Sequence, residues 1–422
     1  PPPPRKKIYK SKLLILLILL TCVPFYVPIA NSINKSKIIH DANTDLPFRV
    51  SIPFAWIDEL CNGFEIRVIT SEERLEAVKR LRNIASENIR EIKNYTDGKR
   101  DLIVILVESL TSKGITEESM PFCFNLTKDS TNIFVPYIEH NIGAGVSMDG
   151  QMITLSGQKP LKDYFLYNIN AKPYLPSIQK SLRRRNDQYV TKLITITDTL
   201  FWSQPRAAKA VGINHLMGCE AGKVYDKNNL QKNIYKSQWL KDIDLFEHLI
   251  TDIRTIPLDT PYIYTVITGD SHMPFDDDRE PLHPITTYKE GESMYHYYIS
   301  LQYTDREIER LFKALEQRNT LDNTTVLIVS DHSWRIAAGD NGRDMQMLLC
   351  NPINHSSYRP KHIPQQISIY PTLLWAMGVV DSTYMGLTPP MISPRIEEFD
   401  SEKFEEASYL SELIQYNNLL AE

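Results

Sequence analysis

The chain has 422 residues, 42% hydrophobic and 23% charged, the balance of a globular protein rather than a disordered one. Its formal charge of −5 conceals an asymmetry: Arg5, Lys6, Lys7, Lys10 and Lys12 crowd the start, and the remainder carries 42 basic against 52 acidic side chains. That acidic body argues against a nucleic-acid partner, which needs a basic face. Five scattered cysteines without a Cys-x-x-Cys argue against a cysteine-built zinc site.

In chain order, the basic flank at residues 1–12 precedes an uncharged stretch, 13–30, that starts Leu13-Leu-Ile-Leu-Leu-Ile-Leu-Leu20. Eighteen uncharged residues sit at the lower limit for spanning a bilayer, and the flanking cations predict that the preceding end stays cytoplasmic. A membrane anchor is the favoured reading and a cleaved signal peptide the other. Both place the rest of the chain outside the cytoplasm: the cytoplasmic (inner) membrane would carry a domain facing the periplasm or cell exterior.

Residues 31–99 read as a tether followed by a helix, in which Leu75, Val78, Leu81, Ile84, Ile89 and Ile92 have helical spacing behind Thr70 or Ser71 as cap. Next comes Asp101-Leu-Ile-Val-Ile-Leu-Val-Glu108. Six consecutive apolar residues, rich in β-branched side chains, predict a strand buried on both faces of a parallel sheet. The functional crevice of such sheets lies beyond the carboxyl ends of the strands, where Glu108 falls. A buried helix followed by a surface Glu is the plainer alternative. A short strand at Asn132–Ile138 leads to Gly143-Ala-Gly145-Val-Ser147-Met-Asp149-Gly150, a glycine-rich turn that feeds a helix and sets Ser147 at its N-terminus.

Helix and strand alternate again at 175–185 and 189–196, and Phe201-Trp202-Ser-Gln-Pro-Arg206 places an aromatic and a cation in one loop. Residues 236–251 are amphipathic. The strand Tyr262–Thr268 ends in Gly269-Asp270-Ser271-His272, and Thr304-Asp-Arg-Glu307 has the form of a capping box opening a helix through Ile308, Leu311, Phe312 and Leu315. Another buried strand, Thr325-Val-Leu-Ile-Val-Ser-Asp331-His332, delivers two ligand-type residues at its end. A helix at 367–377 and a peripheral charged helix within 396–422 close the chain. The fold class is thus α/β: a mainly parallel central sheet with helices on both faces, preceded by a membrane helix, with residues 100–395 as the main domain.

The ordered set of Ile-Leu-Val-Glu108-Ser, Gly143-Ala-Gly145-Val-Ser147, Ser271-His272-Met-Pro-Phe, and Tyr303-Thr-Asp before Val-Ser-Asp331-His332 resembles the alkaline phosphatase superfamily. Within it, the resemblance is to the membrane-anchored lipoteichoic acid synthases and the phosphoglycerol and phosphoethanolamine transferases. The closing Ile369-Tyr-Pro-Thr-Leu-Leu-Trp-Ala-Met-Gly378 is similar to that family's last helix. The resemblance implies one divalent ion, Zn or Mn, held by Glu108, Ser147, Asp331 and His332. Ser147 takes the place of a nucleophile that is usually Thr, His272 contacts the phosphate or carries a proton, and Trp202 and Arg206 bind substrate. It implies a transferase that moves a phosphoethanolamine or phosphoglycerol group from a phospholipid donor to a surface glycan or lipid, at a membrane. The sulfatase branch requires Cys or Ser in a Cys/Ser-x-Pro-x-Arg setting; no cysteine is so placed, and Ser203-Gln-Pro-Arg206 fails the spacing. The chain also departs from the synthases, reading Thr195-Ile-Thr-Asp198 where they carry a histidine. A phosphodiesterase or phosphomonoesterase of the same fold, and a catalytically degenerate surface protein, stay open beside the transferase.

Overall fold

The computed structural model describes residues 71–90, 92, 99–141, 147–160, 175–199, 204–219, 239–273, 275, 279–333, 342–354, 356, 358, 360–379, 384–397 and 401–416. All of these belong to one compact unit. The apolar segment 13–30 lies outside them, and among the described residues no helix is long and apolar enough to cross a membrane.

The first helix, α1, spans Ser71–Ile89 and leads to β1, Asp101–Val107; α2 (Pro121–Leu126), β2 (Ile133–Glu139) and α3 (Ser147–Ser156) follow. Next are α4 (Ile178–Arg185), β3 (Val190–Asp198), α5 (Gln204–Ala210), β4 (His215–Cys219), α6 (Asp242–Thr255) and β5 (Tyr262–Ile267). The chain continues with α7 (Ser293–Gln317), β6 (Thr324–Ser330), β7 (Asp344–Cys350), α8 (Ile369–Ala376) and α9 (Ser401–Tyr416).

Seven strands form one sheet in the order β2-β7-β6-β1-β5-β3-β4. The pairs from β6 to β4 are parallel, and β7 is antiparallel to both β6 and β2. The uninterrupted apolar run of β1 is explained by an apolar layer against each of its faces. Leu102, Val104 and Leu106 face a core shared with α3, α4 and α8, while Ile103, Ile105 and Val107 face one shared with α2, α6 and α7. Burial on both sides removes any place for a polar residue until the strand ends. A smaller cluster joins α1 to α9 through Leu81, Ala407 and Leu410.

The capping box at Thr304 is overturned. Helix α7 starts eleven residues earlier, at Ser293, so Thr304 is mid-helix. Tyr297 and Leu301 extend the apolar stripe of Ile308, Leu311 and Leu315 backwards, and burial of that longer face prevails over the local cap signal. The hydroxyl of Thr304 instead donates to the Asp242 carboxylate (2.6 Å), and Glu307 pairs with Arg306 and Arg310. Asp305, beside it, accepts the N–H groups of Phe122 (2.8 Å) and Cys123 (2.9 Å). It supplies from α7 the cap that Met120 cannot give to α2.

Candidate metal centre and active site

Strands β6, β1 and β5 are neighbours, and their register aligns Val107 with Ser330 and Leu106 with Ile267. One step past those ends lie Glu108, Asp331 and Thr268, so the sheet itself gathers three distant segments at one edge. The Glu108 N–H donates to the Thr268 hydroxyl (3.1 Å), and Ser271 donates to the Glu108 carbonyl (2.6 Å).

Each of Glu108, Asp331 and His332 offers a ligand atom, and these atoms lie within 4.8 Å of one another in a buried pocket. Asp331 divides its labour between two oxygens. Its Oδ1 accepts N–H groups from Ser109 (3.1 Å) and His332 (2.8 Å), whereas the buried Oδ2 accepts no hydrogen bond. A buried carboxylate oxygen without a hydrogen bond costs free energy unless a cation meets it, and here His332 Nε2 stands 3.6 Å away. The Nδ1–H of His332 points at the Ser333 carbonyl (3.2 Å), which leaves Nε2 as the ligand atom; Nε2 is 3.4 Å from Glu108 Oε1 and 2.9 Å from Ser147 Oγ. Ser147 is the first residue of α3, so its oxygen sits at the positive end of a helix whose remaining residues are buried.

The electrostatics describe the same deficit of positive charge. Burial pushes Glu108 up, but His332, more remotely His272, and the Ser109 hydroxyl (2.6 Å) hold it down to about 2. Burial and the Glu108 charge push Asp331 up to about 7 against His332 and two backbone amides. Burial pulls His332 down, yet Asp331 and Glu108 raise it to about 9. Two buried carboxylates thus draw a proton onto the imidazole where a divalent ion would satisfy all three. Two carboxylate oxygens, one imidazole and one hydroxyl form a hard-to-borderline donor set suited to Zn²⁺ or Mn²⁺. The residues present fit the implied ion.

His272 stands on the loop after β5, half-buried, with Nδ1 bonded to the Met273 carbonyl. Arg206 is exposed on α5, and no hydrogen bond or ion pair joins it to the cluster; Trp202 and the turn at 142–146 lie outside the described residues.

Several contributors escaped the sequence reading. Ser109 adopts a left-handed backbone (φ 53°), a conformation costing on the order of 1 kcal/mol for a non-glycine residue, and thereby turns its N–H to Asp331 and its hydroxyl to Glu108. His140 Nδ1 accepts the Ser333 N–H (3.3 Å); burial, then the charges of His332 and Arg343, lower its pKa to about 4, which keeps that nitrogen an acceptor. The Gln366 amide donates to the Asp331 carbonyl (2.6 Å) and the Gly150 carbonyl (3.3 Å), while its oxygen accepts from Asn141 N–H (3.1 Å). Only the position of Ser109 inside a quoted motif offered a signal; a lone Gln or His in a loop offers none.

Residues 100–378 match the Sulfatase family. The chain belongs to the sulfatase family. This membership agrees with the alkaline-phosphatase-type order of motifs and with a central sheet flanked by helices. Among curated relatives of this sulfatase-family chain is lipoteichoic acid synthase 1 of Bacillus subtilis (strain 168). It is 21% identical over 347 residues, covering 76% of this chain and 51% of the relative. The chain therefore spans about half the length of that relative. Among solved structures, the lipoteichoic acid synthase LtaP from Listeria monocytogenes aligns with a TM-score of 0.59 at 14% identity, over 81% of this chain and 98% of that one. The Streptococcus pyogenes phosphoglycerol transferase GacH, solved with sn-glycerol-1-phosphate, also aligns at 0.59 and 14% identity, covering 84% and 94%. At such identities the likeness is one of fold.

Proposed function

We propose that this chain transfers an alcohol-phosphate group, phosphoethanolamine or phosphoglycerol, from a phospholipid to a hydroxyl of a surface glycan or lipid, through a phosphorylated Ser147. The observation that carries this reading is the Ser147 hydroxyl at a helix start, 2.9 Å from the Nε2 of a buried Glu108–Asp331–His332 cluster. The names of the similar proteins, lipoteichoic acid synthases and a phosphoglycerol transferase, support the substrate class.

Glu108, Asp331, His332 and Ser147 would hold the ion, which when bound lowers the hydroxyl pKa and offsets charge on the phosphate. Ser147 Oγ, its proton released to solvent before the first turnover, attacks phosphorus, the bond from phosphorus to the diacylglycerol oxygen breaks, and that oxygen takes a proton from His272. In the second half, His272 accepts the proton of the acceptor hydroxyl as its oxygen attacks the phosphoserine, and the bond to Ser147 Oγ breaks. An imidazole suits both directions of transfer. Nδ1–H of His272 is engaged by Met273, so Nε2 is the nitrogen that carries the proton. Trp202 and Arg206 serve the donor head group. The segment 13–30 anchors the chain in the cytoplasmic membrane, with residues 100–395 facing the periplasm or exterior.

The test is mass spectrometry of Ser147 after incubation with mixed phospholipids. A mass increment equal to the head-group phosphate on Ser147, with release of diacylglycerol, supports the reading. Head-group phosphate released into water, with nothing passed to a glycan, identifies a phosphodiesterase instead. An unmodified Ser147 in metal-loaded protein with no lipid consumed identifies a degenerate protein.

A further inference from the structure

Helix α6 packs its first turn against the loop that bears His272, and the contacts there are unlike an ordinary helix–loop packing. Asp242, fully buried, accepts the N–H of Gly269 (2.8 Å) and of Asp270 (3.3 Å) on one carboxylate oxygen. The other oxygen receives the Thr304 hydroxyl from α7 (2.6 Å). The contact is reciprocal, since Asp270 Oδ1 accepts the Asp242 N–H (3.3 Å) while its Oδ2 pairs with Arg279 (2.6 Å). Three residues before Asp242, the Trp239 indole stands edge-on to the His272 imidazole, centroids 5.1 Å apart at 88°. The segment between them is tied to β3 by Leu240 N–H to the Ile196 carbonyl (2.8 Å). A side chain at Gly269 would collide with the Ile196 δ-methyl, so the loop is pressed between β3 and α6. On its far side, Ser271 is bonded to the Glu108 carbonyl.

We infer that Trp239 and Asp242 are positioning residues for His272, a clamp that fixes the imidazole's height and ring plane beside the metal cluster. Neither residue touches the cluster itself. Asp242 acts through the backbone: a carboxylate shared by two consecutive N–H groups sets the path of the turn from which His272 projects. Trp239 acts on the ring: its edge-to-face contact, together with the Nδ1 bond to the Met273 carbonyl, holds the imidazole in one plane. Proton transfer needs that orientation, because a misdirected nitrogen loses rate while leaving binding intact. The inference rests on the role given to His272 in the proposed transfer reaction, and it concerns kcat rather than metal or lipid affinity.

The experiment uses the metal-loaded full chain with histidine-selective ¹⁵N labelling. The His272 resonance is identified by its loss in His272→Gln. Trp239→Ala should shift it, by removal of the ring current, and should lower kcat about tenfold or more with KM for a short-chain phosphatidylglycerol or phosphatidylethanolamine and the metal content unchanged. Trp239→Phe keeps an aromatic edge and should restore most of kcat. Asp242→Asn, which preserves shape, should also lower kcat at constant KM. The inference is overturned if Trp239→Ala leaves the resonance and kcat at wild-type values, or if both variants lose metal content and thermal stability in proportion to kcat. Should the wild type transfer nothing, the functional reading fails, yet crystal structures of the wild type and Trp239→Ala still decide the clamp: an imidazole in the same plane in both overturns it.

Discussion

The main-chain carbonyl of Asp331 occupies the space where a β-carbon at position 150 would be. Gly150, in the first turn of α3, therefore lets the helix that starts at Ser147 approach the end of β6 that delivers Asp331 along their backbones, and Gln366 bonds both carbonyls at that crossing. The colliding atom is backbone, so it cannot swing aside. Gly150→Ala should destabilise the domain by about 2–3 kcal/mol or more and loosen metal binding together, checked by thermal melts and by metal content. A variant with wild-type stability and metal content would show that α3 and β6 can separate without consequence.

Removing one carboxylate charge should empty the proposed centre without unfolding the domain. In Glu108→Gln and Asp331→Asn, bound Zn or Mn measured by elemental analysis should fall from about one equivalent to under a tenth. Both side chains keep their size, and the β1–β6 pairing beneath them depends on backbone and apolar contacts. For the wild type, stripping the ion should lower stability by about 2.7 kcal/mol relative to protein held at a hundredfold excess over Kd. Full occupancy in either variant would remove Glu108 or Asp331 from the ligand set.

Ser147→Ala should abolish diacylglycerol release and transfer together, a loss of roughly a thousandfold or more, because both halves of the reaction pass through one oxygen. His272→Ala should slow turnover about a hundredfold while leaving the metal bound. Transfer at the wild-type rate without the Ser147 hydroxyl would mean that the acceptor attacks the lipid directly.

Asp101 should contribute a loss of folding stability as the pH rises from about 4 to about 7. Burial raises its pKa to about 7, against the Tyr262 N–H (3.0 Å) and the charges of Arg318 and Arg100. The sign follows from linkage: between the unfolded and folded pKa values the native state binds more protons, so deprotonation favours unfolding. Asp101→Asn keeps an acceptor for Tyr262 and should flatten the pH dependence by at most about 4 kcal/mol across that window. Urea titrations at several pH values measure it, and an unchanged slope would show that Asp101 is ionised at no cost in the native state.

How much could be read in advance differed between apolar and polar parts for a physical reason. An apolar run such as Leu102–Val107 or Thr325–Val329 states its own burial, and the carboxylate that follows it marks the strand's end; the strands and the candidate ligands at their ends were therefore legible. Local signals misled where a larger pattern overrode them, as when burial of Tyr297 and Leu301 carried α7 through the apparent cap at Thr304. The strands β4 and β7, which complete the sheet beyond the central strands, carried too little of this signal to be read. Polar supports were silent. Asp242, Gln366 and His140 act through partners 27 to 225 residues away in sequence, and nothing in their neighbours' identities encodes those partners.

The adjacency of β5, β1 and β6 also bears on when the site comes into existence during synthesis. Ser109 and Asp331, which share a hydrogen bond at its heart, are 222 residues apart, and Glu108 and Ser271 are 163 apart. Pairings of such sequence separation form late because their chain entropy is lost before any contact compensates it. A nascent chain that has emerged only through α7 already carries Glu108, Ser147 and His272, but β1 still has an open edge where β6 will insert. Ser147 is thus made long before the strand that delivers Asp331 and His332, and the candidate site cannot be assembled until the sheet is closed on that side.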